Sequence, residues 1–180
     1  MSRDSIPHPV QNIRNTLLFQ FQISWQLLEY HFTGLTVEEY HWRPASKALH
    51  LSETTEGWKA DWPESESYDT GPANIAWLTW HIVFWWSMVF DSSFGQGTLT
   101  REDVQGFGSP GEAWEQINAL RAQWESASAA LPDDEFLSCS RTGWPFTGRP
   151  FHELAAWLNL ELMKNAAEIG HCRFLYAARA

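Results

Sequence analysis

Residues 72–91 read PANIAWLTWHIVFWWSMVFD, and the fold turns on them. Apolar side chains fall on nearly every side of this stretch, and a helix that is apolar all round is a buried one. It has the length of a membrane span, but no second stretch of the kind exists. His81, Asn74 and the tryptophans at 77, 80, 85 and 86 suit a protein core better than lipid. Such a helix must be covered by other helices. A histidine at its centre must find a hydrogen bond, a carboxylate or a metal.

The flanking sequence supplies the cover. From Pro9, the residues Val10, Ile13, Leu17, Phe21, Trp25, Leu28 and Phe32 recur at spacings of three and four, one face of an amphipathic helix over residues 9–33 that stops at Gly34. Residues 35–44 predict an acidic turn or half-helix. Residues 45–71, with Gly57, Pro63 and Gly71, predict a long surface loop. Its Trp58 and Trp62 are expected to pin it over the end of the bundle near His81. After a glycine-rich connection, Ser109-Pro110-Gly111-Glu112 predicts a capped helix start. Ala113, Ile117, Leu120, Trp124, Ala127 and Leu131 continue that helix to Pro132. A fourth helix runs from Pro150 to about residue 177, with Phe151, Leu154, Leu158, Leu162, Ile169, Cys172 and Tyr176 on its apolar face. The expected architecture is all-α: a four-helix bundle forming one domain over residues 1–180. The long connection between the second and third helices leaves open whether the order is simply up-down-up-down.

Composition narrows the function classes. The chain has 180 residues, 44% of them apolar, with twelve tryptophans and a net charge of −10. So acidic a surface makes nucleic acid and anionic membranes poor partners. Residues 1–15 have no charged segment followed by an apolar run, so no secretion signal is expected. Two cysteines, Cys139 and Cys172, make no disulfide framework, and a reducing cytoplasm is the expected compartment. Cys172 reads as core packing and Cys139 as an exposed loop thiol. No nucleotide-binding glycine loop or nucleophile elbow is present.

Polar side chains on the fourth helix are the candidates for chemistry. Glu161 and Glu168 are one heptad apart, within about 20° of each other around the helix. Lys164 precedes Glu168 by four residues and His171 follows it by three. A lone Glu-x-x-His pair is half of a di-iron signature. Asn165 borders the same face, and Trp77 is expected to wall the pocket. The plain alternatives are a core histidine at 81, paired with Glu168 or a backbone carbonyl, an ion pair between Lys164 and Glu168, a solvated His171, and surface positions for His31 and His41.

Three pieces, LTVEEYHWRPA (35–45), AWLTWHIVFWW (76–86) and EIGHCRFLYA (168–177), resemble in their order the DinB-like superfamily. That group includes bacillithiol- and mycothiol-dependent S-transferases and mycothiol-dependent maleylpyruvate isomerases. The resemblance implies a bundle with an open three-ligand site for zinc or nickel. One ligand would come from the second helix and two, four residues apart, from the fourth. Carried over, these positions fall on His81, Lys164 and Glu168. Lysine is a poor ligand, because its ammonium must first lose a proton. The implied metal set is therefore His81 and Glu168, with His171 or water completing the shell. The implied activity is thiol-dependent transfer, in which the metal lowers the pKa of a low-molecular-weight thiol. The implied partners are that thiol or a small-molecule substrate, and a homodimer is compatible with the fold. The competing expectation is a bundle that has lost the metal, with His81, Glu168 and Lys164 forming a polar network, and that binds a small ligand or itself.

Overall fold

The computed structural model describes residues 9–65 and 67–179; part of the segment read above for a secretion signal lies outside them. Four long helices are α1 (Pro9–Phe32), α3 (Ile75–Phe94), α4 (Pro110–Ala130) and α6 (Phe151–Ala178). Two short ones, α2 (Val37–His41) and α5 (Asp133–Leu137), lie between them. The fold is all-α apart from one small hairpin. Among the described residues no helix is long and apolar enough to cross a membrane.

Local chemistry sets the helix ends. Asn74 caps α3 by accepting the Trp77 amide (2.9 Å), which places the start three residues after Pro72. Ser109 caps α4 and Pro110 fills its first turn, as expected, while the Glu112 carboxylate accepts the Gly108 amide (3.0 Å). Thr36 caps α2 through the Glu39 amide (3.2 Å). That cap makes the half-helix real, and Tyr40, fully buried, bonds Thr79 on α3 through its hydroxyl (2.8 Å).

Cross-helix contacts fix the directions. Asn159 donates to the Leu17 carbonyl and Arg173 to the His31 carbonyl, so α1 and α6 run parallel. His81 meets Asn165 while Phe94 meets Phe151, so α3 runs against α6. Trp114 touches Trp25 and Phe32 while Trp124 touches Phe94 and Phe151, so α4 runs with α3. The order is up-down-down-up, and residues 95–109 carry the chain back along the bundle. Asp91 holds the start of that crossover by accepting the Gln96 and Leu99 amides, bonds that lower its pKa.

The stretch 45–71 is more ordered than a surface loop. It holds a hairpin of β1 (Leu51–Thr54) and β2 (Gly57–Ala60), paired Leu51 to Ala60 through Thr54 to Gly57. Its two tryptophans part company. Trp62 packs on Trp80 and Phe84 of α3. Trp58 stacks on His41 (4.7 Å) and pairs with Gly106 of the crossover.

His31 was expected at the surface and is instead buried. Its ring lies against Gly170, where a Cβ would overlap the imidazole. Gly170→Ala should cost about 2 kcal/mol, the usual size of an overpacked core site. Urea unfolding checks this, and an unchanged midpoint would show that the two helices part freely.

Candidate functional site

The site forms where α3 faces the middle of α6. Trp85 is one turn below His81 on the same face, and its indole N–H donates to His81 Nε2 (2.9 Å). An indole nitrogen only donates, so Nε2 is the unprotonated nitrogen. Nδ1 therefore carries the hydrogen and donates to Asn165 Oδ1 (3.1 Å). Asn165 is buried and passes its own amide to the Glu161 carbonyl of α6 (2.7 Å). The chain from Trp85 through His81 and Asn165 ends on a helix carbonyl, and every polar atom along it is used. Trp77 stacks on the imidazole (4.8 Å, 19°) and donates its indole N–H to the Asp61 carbonyl of the loop (2.8 Å).

Electrostatics keep the ring neutral. The His81 pKa is lowered to about 4, first by burial and then by the positive charge of Lys164, with the Asn165 bond opposing both. Lys164 itself is exposed and pairs with Glu161 (2.7 Å), not with Glu168. Glu168 is exposed on the α6 surface. Partial burial of its carboxyl raises its pKa, against the pull of Lys164 and with the push of Glu161. His171 is exposed one turn further on. The partner of His81 is thus Asn165 and not Glu168. The amide lies nearer the centre of the inward face, so it reaches the imidazole, and Glu168 is left at the margin.

Around this centre lies an aromatic wall. Trp85 stacks on Trp144 (5.2 Å) and meets the edge of Trp157 (5.0 Å). Trp144 is 59% exposed, so the wall reaches solvent. Cys172 is buried, donates to the Ala73 carbonyl (3.3 Å), and has its pKa pushed by burial to about 11. Such a thiol is no nucleophile at neutral pH. Cys139 is exposed in the connection after α5. Neither the neutral, doubly bonded His81 nor Cys172 is poised for acid–base or nucleophilic work.

The motif pieces that carry the family resemblance also build this frame: Thr36, Glu39 and Tyr40 anchor α2, and Gly170 and Arg173 lock α6 to α1. A family model described as the DinB superfamily matches residues 20–169. The chain belongs to the DinB superfamily. No curated protein and no solved structure matches it.

The divalent metal implied by the DinB layout can be tested against these residues. Both nitrogens of His81 are committed to protein partners. Lys164, at the middle ligand position, is a cation paired with Glu161. Among the described residues no three histidine, cysteine, aspartate or glutamate side chains converge to hold an ion. The donor set does not fit a metal.

Proposed function

We propose that this DinB-superfamily chain works without a metal and binds a small molecule, rather than activating a thiol for transfer. One observation carries the reading. The imidazole at the family's ligand position has no free lone pair, because its only unprotonated nitrogen accepts the Trp85 indole. The Lys164 ammonium supplies a positive charge beside it, and a metal ion would be repelled there. The aromatic wall of Trp77, Trp85, Trp144 and Trp157 remains available for apolar contact.

Metal analysis of protein purified without a histidine tag tests the reading. The expected zinc and nickel content is far below one per chain, and a chelator should leave the melting temperature unchanged. Near-stoichiometric metal would restore the thiol-transferase reading. The variants sharpen the test. Lys164→His alone should bring little zinc affinity, since His81 Nε2 stays bonded to Trp85. Adding Trp85→Phe frees that nitrogen and should tighten zinc binding at least about tenfold over the single variant, the scale on which groups around a metal site act. Tight zinc binding by the single variant would mean that the indole bond does not guard the site.

A further inference from the structure

The four helices do not close evenly. α1 packs along α6, α6 on α3, and α3 on α4, which leaves the seam between α1 and α4. One end of that seam is shut by Trp114 against Trp25 and Phe32, with Arg121 over Trp25 (4.2 Å). At the other end α4 finishes as Glu-Ser-Ala-Ser-Ala-Ala (125–130), whose serines and alanines are too short to reach α1. A cavity of about 550 Å³ opens there between α1, α4 and α6. Small-molecule sites run to about 300–1,000 Å³. This cavity lies on a different face of α6 from the His81 centre, roughly 120° around the helix.

Its lining has a definite chemistry. Leu17, Phe21, Ala155 and the stacked pair Trp124–Phe151 (5.5 Å, 28°) make an apolar, largely flat-walled space. Asn159, only 5% exposed, donates its amide to the Leu17 carbonyl (2.9 Å). Its side-chain oxygen has no protein partner among the described residues and is left as an acceptor on the cavity wall. Charges at the rim cancel in pairs: Arg14 with Asp133 (3.1 Å) and Arg121 with Glu125 (3.4 Å). An apolar cleft with an acceptor open on its wall suits a molecule that supplies an apolar body and a hydrogen-bond donor.

We infer that this cleft binds a neutral, mainly aromatic molecule bearing one hydroxyl or N–H donor, of the phenol or indole class, with the donor on Asn159 Oδ1. The inference deepens the small-ligand reading by giving it a place and a chemical class. The test titrates the whole chain with 1-naphthol and follows backbone amides by NMR. Saturable shifts are expected at residues 14–21, 124–131 and 151–159. The matched probe 1-methoxynaphthalene, which lacks the donor, should bind about tenfold more weakly, the scale of one hydrogen bond. Ala155→Leu fills the cavity from its floor. Leu18→Trp closes it from an exposed rim position, where misfolding is not at issue. Both should abolish the shifts. Equal binding of the two probes, shifts that persist in Leu18→Trp, or no saturable shift at all would overturn the site. Shifts confined to residues 77–85 and 161–168 would also overturn it, while leaving a small-ligand function standing at the aromatic wall. The metal analysis decides the metal-free reading separately.

Discussion

Replacing Arg173 by alanine should destabilise the fold by about 3–5 kcal/mol, the range for removing one partner of a buried ion pair. Arg173 Nε lies 2.8 Å from Glu39 Oε1, and that glutamate side chain is only 8% exposed. The same guanidinium donates to the His31 carbonyl (2.7 Å) and the Thr33 carbonyl (2.9 Å), which α1 leaves unpaired at its C-terminal end. One side chain therefore satisfies a buried carboxylate and the end of a helix, and ties α1, α2 and α6 together. The alanine variant strands all of these groups at once. For a chain of this size the melting temperature should fall by roughly 10 °C. Arg173→Lys keeps the charge but not the planar fork, and should lie between the two. A cycle with Glu39→Leu separates pairing from packing. The double variant should be less destabilised than the sum of the singles, because removing both charges leaves no buried charge unpaired, while the two carbonyls stay stranded as in Arg173→Ala alone. A loss under 1 kcal/mol in Arg173→Ala would show that water reaches Glu39 and that the clamp is decorative.

That clamp was hidden in the sequence, whereas the bundle it closes was not. The four long helices announce themselves through apolar spacing and through caps such as Ser109 with Pro110, and they stand within a few residues of where the spacing puts them. The hairpin was missed because strands of four residues are too short to display a period, and the pairing that makes them lies across the turn. The short helix α5 has the same excuse at five residues, whereas α2 lies inside the stretch read as a turn or half-helix. His31 was misplaced because a position near a helix end looks solvated. The signal was Gly170, an unforced glycine deep inside α6, which marks a close approach by a neighbour.

The site was legible in its membership and not in its wiring. His81, Asn165, Lys164, Glu161 and Trp77 do gather at one place. Carboxylates are the usual partners of histidine, which pointed to Glu168. The decisive group is an indole one turn along the same helix, Trp85, which the sequence reading groups with the mainly core tryptophans. A helical pair at i and i+4 needs no tertiary structure to foresee, so this wiring was within reach of the sequence.

The wiring carries its own pH signature. The His81 pKa falls from 6.5 to about 4 in the folded chain, chiefly through burial, then through Lys164. Below pH 6.5 the unfolded chain takes up a proton there that the folded chain refuses, so stability must fall as pH falls. The contribution is whole above about pH 7 and nearly gone near pH 4. A difference of roughly 2.5 units corresponds to about 3 kcal/mol. The charged groups facing the ring are Lys164 and, at the margin, Glu161 and Glu168. The raised Glu168 acts in the opposite direction, since its folded form holds its proton more readily. Protonating Nε2 also expels the Trp85 indole, which can only donate. His81→Gln isolates the effect, because an amide can accept from Trp85 and donate to Asn165 without titrating. Its urea-unfolding free energy should fall less between pH 7 and pH 4 than that of the unaltered chain, by about 3 kcal/mol. Exposed carboxylates with lowered pKa values, such as Asp103, weaken both proteins alike on acidification and cancel in the comparison. Parallel curves for the two proteins would mean that His81 titrates normally, and that the closed chain of hydrogen bonds opens to water.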